Sequence, residues 1–168
     1  MKWARWVVFT AFLASAAWVL PIYPQEPPQS ARPTSSAFVL TISDREARIL
    51  AVIPLNSGRF DHVFVHSIHL TPVVERFIVG ANPGGAPVLH LYELDYESCG
   101  MGMPSDVEEG FHLVDGKFIL DMSRDFTAIP LMVSTVEGHG VAVDGHFYPF
   151  TDWVPQETFL ILTAEAAH

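Results

Sequence analysis

The chain reads as an all-β domain, an antiparallel β-sandwich or small closed barrel of about ten short strands behind an N-terminal apolar helix. Three observations predict this. Short runs of β-branched and apolar residues recur, with turn formers between them at intervals of roughly 8 to 12 positions. Asp115-Gly116 and Asp144-Gly145 each stand between two strand-like runs, where a hairpin turn needs positive φ at both central residues. Beyond the leader, no apolar repeat of about 3.6 residues is sustained over roughly three turns.

The elements follow in chain order. Lys2 and Arg5 precede an uncharged, mostly apolar run from Trp6 to Tyr23 that contains Ala14-Ser15-Ala16-Ala17. Residues 1–23 are therefore predicted to be a signal peptide with an Ala-x-Ala type cleavage site or a retained membrane anchor. As a helix the run would span about 27 Å at ~1.5 Å per residue, just short of a ~30 Å hydrocarbon core. Both readings place the rest of the chain outside the cytoplasm, periplasmic or otherwise extracytoplasmic. Residues 24–36 carry Pro24, Pro27, Pro28 and Pro33 and are predicted to be an extended, semi-rigid spacer.

The β domain is expected over residues 37–168. Phe38 to Ile42 and Ala47 to Pro54 read as strands around the turn formers Ser43-Asp44, and Val63 to Ile68 and Val73 to Val79 as the next two. Val88 to Tyr96 alternates, which assigns Leu89 and Leu91 to one face and His90, Tyr92, Leu94 and Tyr96 to the other. The Asp-Gly hairpins cover Phe111 to Leu120 and Val141 to Tyr148, and Ala128 to Val133 and Phe159 to Ala164 supply further strands. A domain of this size buries enough surface to stand without disulfides, and with Cys99 as its single cysteine it must.

Charge narrows the partners. The formal net charge is −10, and because Lys2 and Arg5 lie in the leader the remainder carries −12. Such a surface repels phosphate backbones and anionic headgroups, so neither nucleic acid nor a membrane surface is an expected partner, except through the N-terminal segment.

Chemistry-bearing side chains crowd into Phe64-Val-His-Ser-Ile-His-Leu-Thr-Pro-Val-Val-Glu75. His66, Ser67, Pro72 and Glu75 are predicted to contribute to a ligand- or partner-binding surface. A metal site at His66, His69 and Glu75 is the alternative, provided residues 67 to 72 make a tight connection; no other cofactor is expected. His62 is set aside, because four residues of strand separate it from His66 by about 13 Å, too far for one ion. No catalytic residue is assigned: Ser67 lacks the flanking glycines and the strand-to-helix turn of a nucleophile elbow. A purely structural network about the proline turn is the plainest reading of the same residues.

Gly100-Met-Gly-Met-Pro104 is expected to be a tight loop whose backbone and methionines add to the binding surface. It is not a phosphate cradle, since Pro104 and then Asp106, Glu108 and Glu109 follow it without a Lys. Glu93, Asp95 and Glu97 show no calcium-loop spacing and read as a solvated face. His112, His139 and His146 read as ordinary strand-face histidines.

The order His66-Ser67, Pro72-Val73, Glu75, Ser98 and then Gly100-x-Gly102-x-Pro104 resembles an uncharacterised bacterial family, the domain of unknown function 1850. The likeness covers about residues 38 to 165. It departs at Cys99, where the family typically carries an aromatic residue. The resemblance implies an N-terminal apolar leader and an accessory protein encoded beside tripartite transporters of the TAXI subtype. The expected function is a non-catalytic extracytoplasmic binding module for a transporter subunit or a small-molecule solute. A metal-dependent hydrolase or lyase using His66, His69 and Glu75, or a structural envelope protein, stands as the alternative.

Overall fold

Alternating side chains need a partner for each face, and the computed structural model meets that need with two sheets. It describes residues 38–97 and 111–167. The leader, the spacer and the Cys99, Gly100, Gly102 and Pro104 segment lie outside the described residues.

Eleven strands are present among the described residues: β1 (Phe38–Asp44), β2 (Ile49–Leu55), β3 (Arg59–Val65), β4 (Pro72–Ala81), β5 (Pro87–Tyr96), β6 (Phe111–Val114), β7 (Lys117–Phe126), β8 (Ile129–Met132), β9 (Gly140–Val143), β10 (His146–Pro149) and β11 (Phe159–Ala166). A single 3-10 turn, Phe150–Asp152, follows β10. The smaller sheet runs β2-β1-β11-β8 and the larger β10-β9-β3-β4-β5-β7-β6. Neither closes on itself, so the arrangement is sandwich-like and not a barrel.

One apolar core joins the sheets. Leu40, Ile42, Ile53, Leu55, Leu160 and Leu162 enter from the smaller sheet. Phe60, Phe77, Val79, Leu89, Leu91, Val141 and Val143 meet them from the larger one, with Phe150 beneath. Phe60 and Phe77 stack at 4.9 Å between ring centroids. A second, smaller cluster of Val73, Leu94, Tyr96 and Leu120 extends the inner face of the larger sheet.

Both Asp-Gly hairpins form, with φ of 51° and 82° at Asp115 and Gly116 and of 49° and 81° at Asp144 and Gly145. Strict alternation along Val88 to Tyr96 does not hold. Phe77 pairs with Leu91 but Arg76 pairs with Glu93, which leaves Tyr92 as the extra residue of a β-bulge. The bulge inverts the pleat, so Leu94 and Tyr96 are buried on the same side as Leu89 and Leu91. It also turns Glu93 and Asp95 toward Arg76, whose guanidinium contacts them at 2.7 and 3.4 Å and Asp61 at 3.4 Å. These two carboxylates are therefore bound in an ion-pair cluster and are not merely solvated, and burial pushes the Asp61 carboxyl up.

Several strand ends also differ from expectation, among them the start of β3, at Arg59, and the end of β7, at Phe126. The third strand stops at Val65, because residues 66 to 71 make the connecting turn. The second starts at Ile49, because the Asp44 carboxylate accepts the Glu46 and Arg48 amides and draws the chain into a turn with Ala47 at φ 62°.

Candidate functional site

Antiparallel register sets His62 of β3 directly opposite Glu75 of β4. Such cross-strand neighbours share a face and lie within side-chain reach, and His62 Nδ1 stands 2.8 Å from Glu75 Oε2. On its other side β3 pairs with β9, His62 opposite Val141 and Val63 opposite Gly140. That pairing delivers His139, the residue just before β9, to His62: the two Nε2 atoms are 2.9 Å apart. The His139 ring then accepts the Ser134 amide at Nδ1, 2.8 Å away. Phe64 and Phe150 wall the two imidazoles, Phe150 lying edge-on to His139 at 4.9 Å. Both histidines are buried.

The hydrogen bonds assign every proton. An amide can only donate, so His139 Nδ1 carries a lone pair and its Nε2 carries the hydrogen. His62 Nε2 must accept that hydrogen, which leaves the other His62 hydrogen on Nδ1 for the Glu75 carboxylate. The result is a directional relay, Ser134 to His139 to His62 to Glu75, with both rings neutral and all four ring nitrogens engaged. Burial, and then the repulsion that a protonated His62 would exert, push the His139 imidazole down to about 4.

A groove of about 460 Å³ opens beside the relay. Phe64, Val65, His66 and Ser67 line one side, Leu131 to Thr135 the other, with His62 and His139 on the inner wall and exposed Glu157 at the mouth. Exposed Met132, with Phe64, Val65 and Leu131, makes the lining partly apolar.

The sequence-predicted residues divide. His66 and Ser67 do line this groove. The His66 amide donates to Thr71 O at 2.9 Å and its carbonyl accepts from Leu70 at 2.8 Å, closing the β3–β4 turn. Its ring lies beside that of His69, 5.0 Å between centroids, and Pro72 is exposed at the start of β4. Glu75 belongs to His62 instead, and reaches the groove only through that ring. The trio His66, His69 and Glu75 is thus not assembled: among the described residues no group of three or more His, Cys, Asp or Glu side chains is placed to hold a metal ion.

Sequence reasoning missed His62 by measuring along the strand instead of across the ladder. A turn closed by His66 and Thr71 places residue 62 opposite residue 75, so a firmer hairpin assignment would have found it. Nothing in spacing pointed to His139, which lies 77 residues from His62. It is a relay member and not an ordinary strand-face histidine. Among the groove's hydroxyls, Ser134 Oγ is committed to the Val136 amide at 3.0 Å and Ser67 stands in the exposed turn.

Comparison with curated proteins and with solved structures finds no match. The model of one family, described as a domain of unknown function (DUF1850), matches residues 60–150, a span that starts at Phe60 on β3 and ends at Phe150 beneath His139 and so takes in the whole relay. The chain belongs to that family.

Proposed function

We propose that this domain is a non-catalytic binding module of the cell envelope that receives a solute or a transporter subunit in the groove flanked by His66 and Ser67. The observation that carries the reading is the closed relay. A general base needs a free lone pair within reach of a substrate proton, and an activated nucleophile needs such a base beside it. The two imidazoles have already spent their lone pairs on each other and on the Ser134 amide, and Glu75, bonded to His62, is not among the residues that line the groove. What the groove offers instead is a shaped recess, a half-exposed His66, apolar ground and one carboxylate, the mixture that recognition uses. The apolar leader of residues 1–23 supports an extracytoplasmic setting. The family resemblance supports a TAXI-type tripartite transporter as the setting in which the module works.

A photo-crosslinking residue placed at Ser67 in the full chain, with a second at Leu113 on the far edge strand β6 as control, tests this in living cells. Crosslinks to a transporter component from position 67 and not from position 113 would bear the proposal out. Equal yields at both positions, or none at either, would return the domain to a structural role in the envelope.

A further inference from the structure

The segment between β8 and β9 is anchored at its two ends, where Val133 bonds Thr158 and Glu157 and the His139 carbonyl accepts the Phe150 amide. It is held more lightly between them, where the Val136 amide bonds only the nearby Ser134 Oγ. Gln156 reaches Thr135 O at 3.0 Å, and the His139 ring takes the Ser134 amide, while Thr135, Glu137 and Gly138 are exposed. That segment is also one wall of the groove through Ser134 and Thr135. Whatever breaks the His139 bond therefore loosens the wall.

A proton taken up by the imidazole pair breaks at least one bond of the relay, and on His139 it breaks this one. Added to His139 it lands on Nδ1, head-on to the Ser134 N–H at 2.8 Å. Added to His62 it lands on Nε2, head-on to the His139 N–H at 2.9 Å, unless His139 moves its own hydrogen to Nδ1 and again faces Ser134. No protonated state of the imidazole pair keeps all three bonds. Protonation of Glu75 differs, because a neutral carboxyl still accepts from His62 through its carbonyl oxygen.

We propose that His139 is an acid-released latch on residues 134–138, so that a proton taken up by His139 frees the Ser134 amide and opens the groove. The groups facing this centre are few. His62, with Glu75 behind it, approaches from the larger sheet, and Phe64 and Phe150 are apolar walls. His66 and Glu157 line the groove, and Glu137 is exposed on the loop itself. Burial, and then the repulsion that a protonated His62 would exert, hold the His139 imidazole down at about 4. As regulation of binding the latch rests on the groove being the working face. The latch itself is read without any ligand, so either can fail alone.

Amide hydrogen exchange of the full chain, followed by NMR between pH ~6.5 and ~3.5 and corrected for intrinsic exchange, tests it. Ser134 protection is expected to fall at least about tenfold while Leu162, in the core strand β11, keeps its own. In His139→Asn, whose carboxamide oxygen can still accept the Ser134 amide but takes up no proton, Ser134 protection should stay flat. Constant protection in the wild type, an equal fall in the variant, or a parallel fall at Leu162 would each overturn the latch. Should the variant fail to fold, the nitrogen shifts of the His139 ring decide. Protonation at Nδ1 must share the midpoint of Ser134 release, and separate midpoints would refute the coupling.

Discussion

Glu75 shows how a single carboxylate specifies a buried imidazole. It accepts from His62 at 2.8 Å, and that bond is what leaves His62 Nε2 free to accept from His139. Glu75→Ala strands a buried N–H and should cost about 1–3 kcal/mol, whereas Glu75→Gln keeps an acceptor and should cost less than half of that in the same urea titration. His139 adds a pH term. Its imidazole titrates near 4 when folded, below the ordinary 6.5. The unfolded chain therefore binds the extra proton in that interval. Stability is at its plateau above pH ~6.5 and declines as pH falls toward 4, by roughly 3 kcal/mol in all, and His139→Asn should flatten that part of a stability–pH curve. At this scale the sequence pointed to Glu75 and the turn at His66, both legible from crowding. It did not point to the two histidines that complete the site, because one is joined across a ladder and the other over a long loop.

Elements were legible where local chemistry decides them. The Asp-Gly turns form as expected because their positive φ is written into two adjacent residues. The fifth strand was misread beyond Leu91 for the opposite reason. A bulge is a property of a pair of strands, and Tyr92 carries no local mark of being the unpaired one. Its effect is large, since it brings Leu94 and Tyr96 into the second apolar cluster and sends Glu93 to Arg76. Gly140 is a like case of close approach between neighbours. A Cβ there would strike the Tyr148 carbonyl and the Phe147 ring of β10. Gly140→Ala should therefore push β9 and β10 apart, cost about 2 kcal/mol or more in thermal or urea unfolding, and disturb the adjacent His62–His139 contact. A loss of ring-nitrogen coupling between the two histidines in that variant is the accompanying NMR signature.

Across the whole molecule, the class of fold followed from short apolar runs and turn spacing, but the pairing order did not. β11 inserts between β1 and β8, and β9 docks on β3, by contacts that no window of sequence contains. The polar relay stands on the inner face of the larger sheet between the two apolar clusters, with Phe60 and Phe77 on one side and Phe64 and Val73 on the other. It draws on β3, β4 and the approach to β9, and so exists only once all three have met. This gives the site a place in time. Closing a 77-residue span is a late event for a chain whose hairpins are local. Substitutions in the relay should leave the refolding rate almost unchanged and speed unfolding by about fivefold for each kcal/mol lost. In stopped-flow experiments the histidine pair would then mark the last step of assembly, and its rupture the first step of coming apart.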